Sequence, residues 1–281
     1  MRQISSKLIT EEVKKLVIDA SHFLPADVRK RLEELRAEED WDLAKSTLDQ
    51  IIKNADIAEN DRVPMCQDTG MAVVFVKIGQ EVEIVDGYIT DAINEGVRLG
   101  YVEGLLRKSV VEDPLYDRIN TKDNTPAVIH YDIVPGDKLN IMIAAKGFGS
   151  ENMSRLKMLK PSDGVEGVKD FVMETVELAG PNPCPPIVVG VGIGGTMDKA
   201  TILAKEALMR DMDSENPKPE YKALEEELLE MINKSGIGPQ GYGGKSTCLR
   251  VLIKSYPTHI AGLPVAVNIN CHATRHKEIE L

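Results

Sequence analysis

The hydrophobic period of this chain changes repeatedly along its length, and that change limits the fold more than any other feature. Met71-Ala-Val-Val-Phe-Val-Lys77, Pro186-Ile-Val-Val-Gly190, residues 248–253 and residues 265–269 are short, β-branched runs that read as buried strands. Residues 10–54 instead carry apolar side chains at helical spacing (Val13, Leu16, Val17, then Leu43, Leu48, Ile51, Ile52), and Pro25 sits where a second helix would start. They read as a helical N-terminal block with one packed and one solvated face. Helical spacing returns over residues 89–106, 197–212 and roughly 220–235, the last closed by Gly236 as a C-cap glycine would close it. Residues 127–133 and 138–145, joined by Pro135-Gly136-Asp137, read as a hairpin. Strands alternating with helices, at least one hairpin among them, predict an α/β fold of mixed sheets flanked by helices. The 281 residues read as one domain, 1–281, with length enough for two lobes.

Composition removes several function classes. Aromatics make up 4% of the chain and the net charge is -11, so base-stacking platforms are scarce, a polyanion is repelled, and nucleic acid is not an expected partner. An anionic substrate would need a local cationic pocket. The first 25 residues interleave acids and lysines with the apolar positions, and no apolar run approaches the ~20 residues of a membrane span. A cytoplasmic protein without a membrane partner is the expectation. In that compartment four cysteines read as thiols or metal ligands rather than as a disulfide framework.

Three of those cysteines sit in loops at the edges of apolar strands: Pro64-Met-Cys66-Gln-Asp-Thr-Gly70, Pro181-Asn-Pro-Cys184-Pro-Pro186 and Asn268-Ile-Asn-Cys271-His-Ala-Thr-Arg275. The prolines around Cys184 remove donors and fix φ, which presents the thiol on a stiff loop. Spacings of 118 and 87 residues do not by themselves distinguish a metal site from scattered buried thiols. Cys248 lies inside the alternating run Ser246-Thr-Cys-Leu-Arg-Val-Leu-Ile253 and reads as a core thiol.

Two glycine motifs resemble nucleotide sites. Gly190-Val-Gly192-Ile-Gly194-Gly195 follows a strand and precedes a helix, but a strand ending in an acid about 20 residues on is missing, since residues 213–219 are a polar loop. Its glycines read better as allowing a small anion or cofactor to approach the backbone. Gly243-Gly-Lys-Ser-Thr247 lacks the first glycine of a P-loop and leads into a strand, which leaves Lys245 as a candidate member of an anion pocket. Lys146-Gly-Phe-Gly149-Ser-Glu-Asn-Met-Ser-Arg155 ends a strand in a glycine turn. It reads as an anion-binding nest, as a plain strand-to-helix turn with Ser150 as N-cap, or as both.

Taken together, residues 64–70, 146–155, 182–186, 190–199, 235–247 and 270–276 resemble, in this order, the α subunit of class I fumarate hydratases and the similar L-tartrate dehydratases. The resemblance implies a [4Fe–4S] cluster held by Cys66, Cys184 and Cys271, with one iron open to substrate. It further implies substrate-side roles for Gln67 and Asp68, for Arg107 in Leu105-Leu-Arg-Lys-Ser109, for the Gly149 N–H, and for His259. Arg107 would clamp a carboxylate, and Asp68 and His259 would tune protonation. Single-chain members continue into a further domain that supplies more substrate contacts and a base. The implied partner here is a separate β subunit, in a hetero-oligomer acting on a small dicarboxylate. Fumarate hydration is the expected reaction, L-tartrate dehydration the same-class alternative, and a non-catalytic metal- or nucleotide-binding scaffold the alternative from another class.

Overall fold

The structure is a computed structural model that describes all 281 residues. In chain order the elements are β1 (Arg2–Ser5), α1 (Ser6–His22), α2 (Ala26–Glu38), α3 (Asp42–Asp61), β2 (Met71–Gly79), β3 (Val82–Val85), α4 (Ile89–Glu103), β4 (Val128–Val134) and β5 (Leu139–Lys146). They continue with α5 (Phe148–Glu151), β6 (Arg155–Leu159), α6 (Gly164–Ala179), β7 (Ile187–Gly194), α7 (Met197–Ala207), α8 (Pro219–Lys234), β8 (Cys248–Tyr256), β9 (Leu263–Asn270) and β10 (His276–Glu280). The chain forms two compact units: Met1–Leu24, Ala55–Phe148 and Arg275–Leu281 in the first, Pro25–Asn54 and Gly149–Thr274 in the second.

The first unit contains a four-stranded sheet in the order β10-β5-β2-β4, with β2 parallel to β4 and antiparallel to β5, and a small parallel pair, β1-β3. Helix α1 starts at an N-cap, Ser5, whose side chain accepts from Lys7 N–H. Its buried residues Ile9, Val13, Leu16, Val17 and Ala20 form one stripe. That stripe meets α4, where Gly96 and Gly100 leave no room for a side chain: a Cβ on either would lie 2.7–2.8 Å from Val13 or Val17. Val74 and Val76 of β2 and Ile141 and Ile143 of β5 complete this core.

The expected hairpin does not form. Both strands are present, but β2 lies between them. The end of β2 supplies the reason: N–H groups of Gly79, Gln80 and Glu81 donate to the carbonyls of Lys138, Val134 and Gly136, so the Pro135-Gly136-Asp137 connection is bonded to a third segment instead of closing a local turn.

The second unit is built on the sheet β6-β9-β7-β8, in which β7 is parallel to β8 and antiparallel to β9. Every residue of β7 is buried, which makes it a central strand covered on both faces. With the period of two of a strand, Ile187, Val189, Val191 and Ile193 join the core formed with α6 and α8. The alternate positions Gly190 and Gly192 face α7, and Cβ atoms there would lie 2.2 and 2.0 Å from the carbonyls of Ala204 and Ala200. These glycines therefore admit a helix backbone, not an anion or cofactor, which corrects the reading made from the sequence. Helix α7 also ends at Ala207, short of residue 212, and α6, β1, β3, β6 and β10 have no counterpart in the sequence reading. Cys248 is fully buried at the start of β8, and burial pushes its thiol up to about 12.

A buried carboxylate fixes the loop before β8. Glu39, in the α2–α3 connection, accepts from the N–H groups of Lys245 and Ser246 and the Ser246 hydroxyl through Oε2, and from Asp40 and Trp41 N–H through Oε1. Burial opposes ionisation, but the Ser246 hydroxyl and the backbone N–H groups of Trp41, Lys245 and Asp40 outweigh it and hold Glu39 below the usual carboxylate range.

Two outcomes are expected. Gly192→Ala should destabilise the chain by about 3 kcal/mol, the upper end of overpacking costs, read as a fall in the urea midpoint at unchanged m-value. Glu39→Gln should cost roughly 1.5–3 kcal/mol at neutral pH through loss of charge-assisted bonds. Because the folded pKa is depressed, that contribution is complete above the unfolded value of about 4.3 and is lost as pH falls through the folded pKa. Wild type and variant should therefore converge in stability in strongly acid urea titrations, and a constant gap would refute the assignment.

Candidate functional site

In each unit most of the residues singled out in the sequence gather at one end of a sheet, because of strand direction. In the first unit the starts of β2, β4 and β10 adjoin the end of β5: Met71 pairs with Lys146, Val73 with Val128, and His276 with Ala144. The Cys66–Gly70 loop, the Gly147 turn and Arg275 are thereby brought together. In the second unit the starts of β7 and β8 adjoin the end of β9, with Ile187 opposite Cys248 and Val188 opposite Asn270. The loops of Cys184 and Cys271 and the glycine-rich loop before β8 share that end.

The loop before β2 is tightly determined. Met65 N–H donates to Ser21 O at 3.1 Å, and the Cys66 thiol lies 3.4 Å from Gln67 Oε1. Asp68 Oδ1 accepts from Gly70 N–H at 2.9 Å and Oδ2 from Phe148 N–H at 2.8 Å, while Arg275 donates to the Asp68 carbonyl. Gly70 has φ +73° and lies against the backbone of Lys146, where a Cβ would be 2.6 Å from the carbonyl carbon. The hydroxyl of buried Tyr101 reaches the carbonyls of Thr69 and Gly70 at 2.8 and 3.1 Å, and burial pushes its pKa up.

The Arg107 segment is placed by two side chains, Thr69 and Asn124, whose bonds the sequence did not reveal. Thr69 Oγ1 donates to the Arg107 carbonyl at 3.1 Å. Fully buried Asn124 accepts from Ser109 and Val110 N–H and donates to the Gly70 carbonyl at 3.1 Å. The Arg107 side chain is exposed and enters no ion pair. A cleft of about 440 Å³ in the same unit is lined by Asp68, Gly70, Ser109, Val111, Arg118 and Phe148. Gln67 is exposed next to Cys66.

In the second unit Cys184, exposed and with φ +56°, sits in a turn closed by its own N–H on Pro181 O at 3.0 Å. His272, directly after Cys271, places Nδ1 3.0 Å from the Cys184 carbonyl, and Gln240 donates to Pro185 O from its backbone N–H at 2.8 Å and from Nε2 at 2.9 Å. None of the four cysteines is in a disulfide. No three His, Cys, Asp or Glu side chains converge on one ligand set; Cys184 and Cys271 are joined through His272, and Cys66 belongs to the other unit. The exposed Cys184 and half-buried Cys271 thiols, brought to one sheet end, are the donor chemistry that an iron–sulfur cluster takes, and in this respect the second unit's residues fit one.

Gly149 lies exposed in α5, where a Cβ would meet only Asn182 O, at 3.6 Å. Ser150 is buried inside this short helix and is not its N-cap. His259 and Lys245 are held differently from the other candidates. His259 lies in the turn between β8 and β9, and Tyr256 pairs with Gly194, so this turn is at the opposite end of the sheet from Cys184 and Cys271. Eight residues of β7 separate the two ends, about 26 Å at 3.3 Å per residue. Lys245 does share the cysteine end, but its ammonium is held by Asp40, whose hydrogen bond and charge raise its pKa. It is an exposed ion pair and not an open anion site.

Asn124, Gln240, His272 and Arg275 carry much of this architecture without having been assigned a role. The last three stand inside the motif segments, which is where a sequence signal existed; nothing in the polar stretch around Asn124 distinguished it.

The model of the family described as fumarate hydratase (Fumerase) matches residues 10–280. A protein of Methanocaldococcus jannaschii, named provisionally as L(+)-tartrate dehydratase subunit alpha, is 46% identical over 281 residues, which cover 97% of this chain and 98% of the relative. The L(+)-tartrate dehydratase alpha subunits of Escherichia coli and Shigella sonnei are each 34% identical over 278 residues, 98% of this chain and 91% of theirs. No helix is long and apolar enough to cross a membrane. With its fold, its ordered motif loops and matches that run almost from end to end, the chain belongs to the fumarate hydratase (Fumerase) family of hydro-lyases.

Proposed function

We propose that the chain is the α subunit of an iron–sulfur-dependent fumarate hydratase that interconverts (S)-malate with fumarate and water. The observation that carries this reading is the gathering of the Cys184 and Cys271 loops at one sheet end, tied by His272, in a chain of this family. Cys66, Cys184 and Cys271 would hold a [4Fe–4S] cluster, which when bound supplies a Lewis-acidic iron for the hydroxyl and carboxylate oxygens of the substrate.

The chain's own residues bind and orient. Arg107, exposed and unpaired, can take a carboxylate with two parallel hydrogen bonds, and the Gly149 N–H and the Gln67 amide can add donors. Each Asp68 oxygen is anchored by one backbone N–H and keeps a second lone pair, so Asp68 can accept from a substrate hydroxyl without leaving its place. Lys245 could join the anion site only by releasing Asp40. His259, in the turn at the opposite end of its own sheet, would tune protonation only at a site which that turn itself reaches. The base for the C3 proton is assigned to a β subunit, in keeping with the relatives' names as α subunits. Those names also favour a second reading, L-tartrate dehydration, in which the substrate carries one more hydroxyl; a site built to bond that hydroxyl discriminates strongly against its absence. A cytoplasmic hetero-oligomer follows from either reading.

Cys66→Ser, Cys184→Ser and Cys271→Ser should each abolish iron retention after anaerobic reconstitution, whereas Cys248→Ser should bind iron as wild type does, judged by iron and sulfide content. Equal loss in all four without unfolding would sink the ligand assignment. In the α–β enzyme, assayed with fumarate and L-tartrate side by side, Arg107→Lys should lower kcat/KM by an amount equivalent to roughly 1.5–3 kcal/mol, because the ammonium lacks the planar fork. An unchanged kcat/KM on both substrates would remove Arg107 from the site.

A further inference from the structure

The Cys184 loop is held in a shape that its sequence alone does not enforce. A φ of +56° at a residue with a Cβ is strained and persists only where its surroundings impose it. Those surroundings are two side chains from distant parts of the second unit. Gln240 grips Pro185 O twice, through its backbone N–H at 2.8 Å and Nε2 at 2.9 Å. It does so from a left-handed conformation of its own, φ +54°, and the next residue, Gly241, packs so closely that a Cβ would lie 2.6 Å from Pro181 Cβ. His272 meets the Cys184 carbonyl with Nδ1 at 3.0 Å, and its backbone N–H approaches the same oxygen at 3.5 Å. A carbonyl can only accept, so Nδ1 carries the proton in this contact. The 3.2 Å approach of Gln240 Nε2 to that nitrogen is then a contact between two donors and not a hydrogen bond, while Nε2 donates to Pro185 O.

We propose that Gln240 and His272 are positioning residues, a clamp that sets the direction of the Cys184 thiol relative to Cys271 before metal arrives. This rests on the iron–sulfur reading given above. His272 is covalently next to Cys271, so a single side chain joins the two thiol-bearing loops, and Gln240 fixes the residue that follows Cys184. A loop ordered only on binding would subtract its ordering free energy from metal affinity; a clamped loop does not.

The test is anaerobic titration of the reduced full-length chain with cobalt(II), followed by thiolate-to-cobalt charge-transfer absorption, beside iron and sulfide content after reconstitution and urea unfolding of each variant. In Gln240→Ala and His272→Ala, cobalt affinity should fall 10–100-fold, the usual effect of removing a group that orients a ligand, with the urea midpoint unchanged. His272→Asn, which can place an amide N–H near the position of Nδ1, should recover most of the affinity. Cys184→Ser and Cys271→Ser set the floor. Wild-type cobalt and iron binding in those two cysteine variants would overturn the iron–sulfur reading and the clamp with it. Loss in the cysteine variants with wild-type affinity in the Gln240 and His272 variants would overturn the clamp alone. A fall in affinity matched by a fall in stability, with no recovery in His272→Asn, would also overturn it, by making both residues ordinary parts of the fold.

Discussion

In the second unit β9 runs antiparallel to β7 while β8 runs parallel to it, so one end of the sheet collects the end of β9 and the starts of both other strands. The second unit's share of the candidate residues depends on that arrangement. Cys184 and Cys271 are 87 residues apart in sequence, and only the pairing of Val188 with Asn270 makes them neighbours. The first unit follows the same rule with different strands: the starts of β2 and β10 and the end of β5 bring the Cys66 loop, Arg275 and the Gly147 turn to one place. Rigid sheet ends are good supports for a site, since the loops are short and each is anchored by a strand whose backbone bonds are already made.

Much of this was legible from the sequence, and the failures have a common cause. Strands β2, β7, β8 and β9 and helices α1, α4 and α8 announce themselves through local period and composition, which act within a few residues. The hairpin expectation failed because Gly79, Gln80 and Glu81, about 55 residues before the turn, took its backbone acceptors. The purpose of the glycine motif of β7 was misread: Gly190 and Gly192 are spaced by two because alternate residues of a strand face one side, and that side carries the backbone of α7. Identical spacing serves a phosphate or a helix, and the sequence alone cannot separate the two. Cys248 could be assigned to the core because its neighbours alternate. Asn124 could not be assigned at all, because its value lies in bonds to Ser109, Val110 and Gly70, which no local pattern encodes.

Charged groups near the site differ in what holds them, and this decides their availability. Glu39 is buried and receives five hydrogen bonds, so it is part of the scaffold that shapes the loop before β8. Lys245 follows directly from that scaffold but is exposed and paired with Asp40, an interaction that solvent weakens. Arg107 is the reverse case: its backbone is fixed by Thr69 and by Asn124 nearby, while its guanidinium is left unpaired. A side chain anchored at its root and open at its tip is the arrangement expected of an anion-binding residue, because the root costs no ordering on binding and the tip has no internal partner to exchange.

The place of His259 shows how a motif and a geometry can part company. The resemblance groups this residue with the cysteines, but the β8–β9 turn lies a full strand away, and strands do not slide along one another without breaking their ladders and turning every side chain to the other face. Its Nδ1 accepts from Ala261 N–H at 3.2 Å, which helps to close the turn. Proton transfer requires a donor and an acceptor within about 3 Å, and a gap of about 26 Å is beyond any side-chain rotation. Proton chemistry at the cysteine end must therefore come from groups that reach that end, either from other loops of the chain or from another subunit. Within the second unit, the imidazole that the fold delivers there is that of His272, and its Nδ1 is committed to the Cys184 carbonyl.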